Sequence, residues 1–374
     1  MLDLIVDHLC DDLEALKPCC VVSKSWIPRA RRHIFVRIDF HAHVWSIESW
    51  MKAFPDPPTS PAHYARSLLF HDSASTITAA TNASPWIRAF CCIDTLRVCA
   101  WTRRQFSFIH LHGLSPALKS LCVSRSSIPL SDLFDFVGSF PSLEDLSLTS
   151  SGITEPDGGW AVVPPVSPKF TGRLYLLLDD GTQATVQRLL DFPGGLHFSG
   201  IEVMCHEREA ESVVELLSSC FHTLESLFLR NEQPGAFLWL LGLLNGSPTP
   251  VGSDNFGKES AFDLSGAAKL KELRFSWGGQ SVQWIITTLQ TTATRNLRYI
   301  TLHSYSRHTF DIDRMDPTVL QGWQDLDRLL VQMWTSHSIR PSITYVEFNG
   351  GLGGVATILL PKLTGAGVVE AASD

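Results

Sequence analysis

The feature that most constrains this chain is a short apolar phrase that recurs along its length: an apolar residue, two spacers, a second apolar residue, one spacer and a third. Clear copies begin at Leu118, Leu143, Leu224, Leu270, Leu297 and Ile343, and weaker ones cover 65–70, 93–98, 171–176 and 198–203. The middle apolar residues stand at 68, 96, 121, 146, 174, 201, 227, 273, 300 and 346, giving steps of 28, 25, 25, 28, 27, 26, 46, 27 and 46. Alternation within each phrase predicts a short strand with one apolar face. One such strand cannot close a core, so each needs stacked neighbours as its walls.

Between the phrases the apolar spacing changes to that of a helix. Examples are Leu133, Phe134, Phe136, Val137 and Phe140; Val186, Leu189 and Leu190; Val213 to Phe221; Val282, Ile285, Ile286 and Leu289; and Leu326, Leu329, Leu330, Met333 and Trp334. Most of the steps fall within the roughly 20–29 residues of a leucine-rich repeat. The expected fold class is therefore α/β: a leucine-rich-repeat-like solenoid over 65–363, with a curved parallel sheet and outer helices. The two long steps predict insertions near 244–260 and 307–322, and 364–374 reads as a polar tail. The Asn or Cys that ties neighbouring turns in standard repeats is missing; Ser126, Ser151, Glu232 and Tyr305 stand at such sites. Irregular coils are expected.

Residues 1–36 differ from the repeats. Leu2, Ile5, Val6 and Leu9 share one side of a helix, and Asp11 with Glu14 has the form of a capping box opening a second. A third begins near Ile27, with Pro28 tolerated in its first turn. Three helices of this length are too small to fold alone. Residues 37–64 read as a linker, in which Val36, Ile38 and Phe40 alternate like a strand.

The stretch from Leu2 to Leu9, the run Asp12 to Leu16, and Val21, Val22, Ser23, Lys24, Ser25 and Trp26 followed by Arg31, Arg32, His33, Ile34 and Phe35 resemble the F-box. The resemblance covers about 36 residues, and the repeats after it match the leucine-rich class of F-box proteins in architecture. It implies docking onto a Skp-type adaptor of a cullin-RING (SCF-type) ubiquitin ligase, with Leu2, Ile5, Leu9, Leu13, Val22, Ser23 and Trp26 at the matched positions. In that family a leucine-proline element precedes the first helix, whereas Met1 stands where the helix is already under way. The resemblance thus implies an upstream start or a weakened adaptor contact. The alternative for the same residues is a cap over the first repeat, which solenoid ends require.

Composition narrows the function classes. A chain of 374 residues with 44 % hydrophobic and 18 % charged residues has ample material for a core. Its net charge of -8 argues against nucleic acid as a partner, because phosphate neutralisation needs a basic surface. No apolar run reaches the roughly 18 residues of a membrane span, and Asp3 and Asp7 disagree with a secretory signal. Nine cysteines, including the adjacent pairs Cys19-Cys20 and Cys91-Cys92, show no metal-type spacing and read as thiols of a reducing compartment, cytoplasm or nucleus.

Catalytic signals are weak. His41 with His43, and His110 with His112, place imidazoles two apart on a strand, which a metal-dependent hydrolase would use, but further ligands are not evident. Asp311, Asp313 and Asp316 resemble the start of a calcium loop whose glycine and closing glutamate are missing. Nucleophile elbows, phosphate loops and dinucleotide fingerprints are absent from the sequence. The reading is a non-enzyme without a cofactor. On the concave face the spacers of the later phrases carry Tyr175, Met204, Phe228, Arg230, Arg274, Tyr299 and Tyr345, and aromatic residues and Arg are the types that dominate binding hot spots. These are the candidate contacts for a target protein. A repeat scaffold with no ligase role is the alternative function.

Overall fold

The computed structural model describes residues 2–41, 46–71, 84–100, 111, 114–149, 152–154, 167–178, 181–204, 209–231, 262–277, 282–292, 294–304, 317–336, 340–347, 359–367 and 369–373. The chain is α/β and forms two compact units, Met1–Leu196 and His197–Asp374.

The first unit opens with three helices: α1 (Leu2–His8), α2 (Leu13–Val22) and α3 (Ile27–Ile34). The cap of α2 is Asp12, one residue later than the capping-box reading, and its carboxylate accepts from the Ala15 N–H at 3.0 Å. Six strands follow: β1 (Arg37–His41), β2 (Ser67–His71), β3 (Thr95–Cys99), β4 (Ser120–Ser124), β6 (Asp145–Thr149) and β8 (Arg173–Leu177), paired in parallel in that order. Two short segments, β5 (Ser127–Pro129) and β7 (Gly152–Thr154), pair separately. The register aligns Ile38, Leu68, Leu96, Leu121, Leu146 and Leu174 in one row. The linker expectation for 37–64 is thus corrected. The described residues there supply a first rung, with β1 followed by the helix Ile47–Ala53 and 3-10 turns at Pro57–Thr59 and Pro61–Tyr64.

The second unit repeats the arrangement with β9 (Gly200–Met204), β10 (Ser226–Asn231), β11 (Glu272–Trp277), β12 (Tyr299–Ser304), β13 (Ser342–Glu347) and β14 (Val369–Ser373), again parallel and in chain order. Here two sequence expectations change. The residue of β13 opposite Ile300 is Ile343, three positions before Val346, and β14 adds a rung where a tail was expected. The insertion expected near 307–322 also changes at its end, since 317–322 are the first turns of the helix Pro317–Ser336. The insertion near 244–260 lies outside the described residues.

In each unit the core lies between the strands and the helices. Phe40 meets Trp50 of the Ile47–Ala53 helix edge-on at 6.0 Å, and Phe275 of β11 meets Trp284 of the Gln283–Thr291 helix at 5.4 Å. The row residues Leu68, Leu96, Leu121, Leu146, Leu174, Leu227, Leu273 and Ile300 are all fully buried. Each contributes roughly 2 kcal/mol of transfer free energy.

Neighbouring rungs are tied by backbone where an asparagine ladder is missing. The carbonyl of Val36 accepts the N–H groups of both Arg66 and Ser67, that of Arg66 accepts from Asp94 and Thr95, and that of Asp94 accepts from Lys119 and Ser120. In the second unit Ser199, Glu225 and Lys271 accept in the same way. The pattern breaks at β8: Gly172 N–H donates to Glu144, but Arg173 N–H turns to the Asp145 carboxylate at 2.6 Å.

Candidate functional site

The three N-terminal helices have a small core of their own, built from Val6, Leu16, Cys19 and Ala30, with Leu9, Cys20, Trp26 and Ile34 packed against it. That leaves much of their apolar surface outside. Leu4, Leu13, Val21, Val22 and Val36 are exposed, Val21 by 86 % and Val22 by 68 %. Among the described residues Tyr299 is the other exposed large hydrophobic, so apolar exposure is concentrated within the first 36 positions. Isolated exposed apolar residues are ordinary, whereas several gathered on one small module mark an interaction surface.

The resemblance residues divide in two. Leu9 and Trp26 pack inward; Leu13 and Val22 face solvent. Ser23 ends α2, its hydroxyl 2.8 Å from that of Ser25. Leu2 and Ile5 lie on α1, with side chains outside the described set. Sequence reasoning did not offer Leu4 or Val36 as contacts, reading Val36 instead as part of a strand; only burial separates them from core residues of the same type.

Asp7 joins α1 to α3. Its carboxylate pairs with the Arg29 guanidinium and stands 2.8 Å from His33 Nε2. Hydrogen bonds from Arg29 and His33 hold the Asp7 carboxyl well below the usual carboxylate range. Arg29 therefore ties α3 to α1. Asp7, Arg29 and His33 line a cleft of about 690 Å³ with Pro28, Arg32, Val36 and Tyr64. The Tyr64 wall belongs to the Pro61–Tyr64 turn, on which α3 rests.

The sheet face turned away from the helices carries most of the other candidates. Tyr175 belongs to the first unit, where Arg173 Nη1 donates to its hydroxyl at 3.4 Å. In the second unit Arg230 pairs with Glu202 at 2.5 Å and lies 4.7 Å over the Phe228 ring, which in turn stands 5.2 Å from the His303 ring. Arg274 pairs with Glu272 of its own strand, and Ser226 donates to the same carboxylate at 2.9 Å. Tyr299 is 53 % exposed, but Met204 and Phe228 are buried, which removes them as open contacts. Tyr345 stands opposite Leu302 in the backbone register, because β13 pairs three residues earlier than its apolar phrase implies, and its side chain lies outside the described set. Glu202, Glu272 and His303 complete this face. All three occupy spacer positions of their phrases, where sequence alone does not rank them.

The histidine expectations resolve differently. His41 stacks on His71 of the next strand at 4.8 Å, while His43, His110 and His112, like Asp311, Asp313 and Asp316, lie outside the described residues. Among the described residues no three His, Cys, Asp or Glu side chains are placed to hold a metal, and no helix is long and apolar enough to cross a membrane. No family model matches the sequence, and no curated protein matches it at a significant level.

Proposed function

We propose that the chain is the substrate-recognition subunit of an SCF-type ubiquitin ligase, with 1–36 as an F-box-like module and the parallel rungs as a leucine-rich-repeat-like array. The observation that carries this reading is the exposure of apolar side chains on the N-terminal helices: Leu13 and Val22, both matched F-box positions, face solvent while Leu9 and Trp26 pack inward. Such a division suits a module that folds on its inner residues and docks a Skp-type adaptor through its outer ones. The ladder then presents a target protein to the recruited ligase, and rate comes from proximity. Tyr299 and the Arg274 side chain are the accessible contacts for that target, the pre-paired Arg230 and Glu202 fixing the surface beside them. The chain itself makes and breaks no bond in this reading, takes no cofactor and works in cytoplasm or nucleus.

The test is co-purification of the full chain with a Skp-type adaptor, beside a Leu13→Glu, Val22→Glu double variant. Capture by the native chain and loss in the variant are expected. Failure of the native chain to capture adaptor, also when extended upstream, overturns the ligase role. The seating of α3 on the Pro61–Tyr64 turn favours a second reading, a capped repeat scaffold with no ligase role. In that case the double variant changes no partner in the co-purification.

A further inference from the structure

Cys91 and Cys92 occupy the turn between the helix Ser84–Ala89 and β3, and their sulfurs stand 3.8 Å apart. The turn is fixed on both sides. Phe90 and Ile93 are fully buried, Arg66 donates to the Cys92 carbonyl at 3.1 Å, and Asp94 and Thr95 both donate to the Arg66 carbonyl. Cys91 is exposed and Cys92 half-buried, so a dithiol faces solvent on a backbone anchored on both sides.

Geometry separates the chemistries open to such a pair. Disulfides span Cα separations of roughly 4.4–6.8 Å, whereas consecutive Cα atoms across a trans peptide lie about 3.8 Å apart. A Cys91–Cys92 disulfide is therefore strained. Burial and the neighbouring thiol push the Cys91 thiol up, which opposes a reactive thiolate. Chelation fits: two sulfurs bonded at about 2.3 Å to one centre stand roughly 3.3–3.8 Å apart for bond angles from 90° to tetrahedral. A four-coordinate metal would need further protein ligands. A soft three-coordinate centre that already carries one substituent needs only these two sulfurs.

We propose that Cys91 and Cys92 form a bidentate site for trivalent arsenicals bearing one organic group. In the reaction with an arsine oxide both S–H bonds break and two As–S bonds form. The arsenic-bound oxygen leaves with both protons as one water, and arsenic stays trivalent. The backbone holds the sulfurs near the required separation beforehand, so little ordering opposes closure of the chelate.

The experiment treats the full chain with one equivalent of phenylarsine oxide and reads intact mass, then peptide mass after digestion. One adduct is expected, on the peptide holding both cysteines, stable to excess glutathione and released by dimercaptopropanol. Cys91→Ser and Cys92→Ser, each checked for native circular dichroism, should each weaken retention on the order of a hundredfold, the gain a second linked contact supplies. An adduct mapping to other cysteines, an adduct retained in either variant, or none at all overturns the proposal.

Discussion

At the scale of single residues, the informative side chains are buried or paired carboxylates. Asp327, 1 % exposed in the helix Pro317–Ser336, accepts from the N–H groups of Lys362 at 3.0 Å and Leu363 at 3.1 Å, and so caps the short helix Pro361–Gly365. Asp327→Ala leaves two donors without their acceptor and should cost about 2–3 kcal/mol in urea denaturation, with Asp327→Asn milder because its amide keeps one acceptor oxygen. Asp7 acts through pH. Its folded pKa is depressed by Arg29 and His33, so its contribution is full above the ordinary value of 3.8 and is lost as pH falls below it. Acid titration of Trp26 fluorescence should therefore show α3 loosening below about pH 4 in the native chain, and Asp7→Asn should flatten that dependence. A native profile without slope in this range refutes the assignment. Neither role was legible in sequence, because Asp7 and Arg29, like Asp327 and Lys362, meet only after folding.

At the scale of elements, what was legible is the apolar phrase, and what was missed follows from how a phrase can fail. Leu121, Leu146, Leu227 and Leu273 were identified as rungs because each has an apolar residue three positions earlier. β1 has one too, Phe35, but it caps the end of α3 and meets Trp50 and Phe54 edge-on, so the phrase reads as the end of a helix. Arg340 precedes Ile343 by three, which is why the apparent phrase slid to Val346, and β14 carries Ala371 and Ala372, too small to register as a strand with a core face. The expected irregular coils had a sound basis, the missing asparagines, but the shared backbone carbonyls supply the ties and leave no mark in the sequence. Only the break at β8 is visible, as Gly172. A Cβ there would stand 2.1 Å from Asp145 Oδ1, the acceptor for Arg173 N–H. Gly172→Ala should displace that carboxylate and cost about 1–2 kcal/mol. In the Asp145→Ala background the same substitution should cost less than half as much, and equal costs in both backgrounds would place the clash elsewhere.

At the scale of the whole molecule, apolar side chains fall into two populations with opposite consequences. Those in the strand rows of each unit are at or near zero exposure, and removing one leaves a cavity: Leu146→Ala should cost about 3 kcal/mol. Those at Leu4, Leu13, Val21 and Val22 are exposed, and replacing them should leave unfolding within about 0.5 kcal/mol of the native chain. Their effect should appear in association instead. A net charge of -8 disperses most of the surface, but it does not act locally on exposed apolar side chains whose own module carries Lys17, Lys24, Arg31 and Arg32 beside Asp11, Asp12 and Glu14. The purified chain without a partner should therefore self-associate with rising concentration in sedimentation velocity and bind a hydrophobic dye. Leu13→Glu with Val22→Glu should abolish most of both while leaving the denaturation midpoint in place. If the pair instead lowers stability by more than about 1 kcal/mol, these residues are packed in solution and the module is a cap, since an exposed site cannot lose burial it never had.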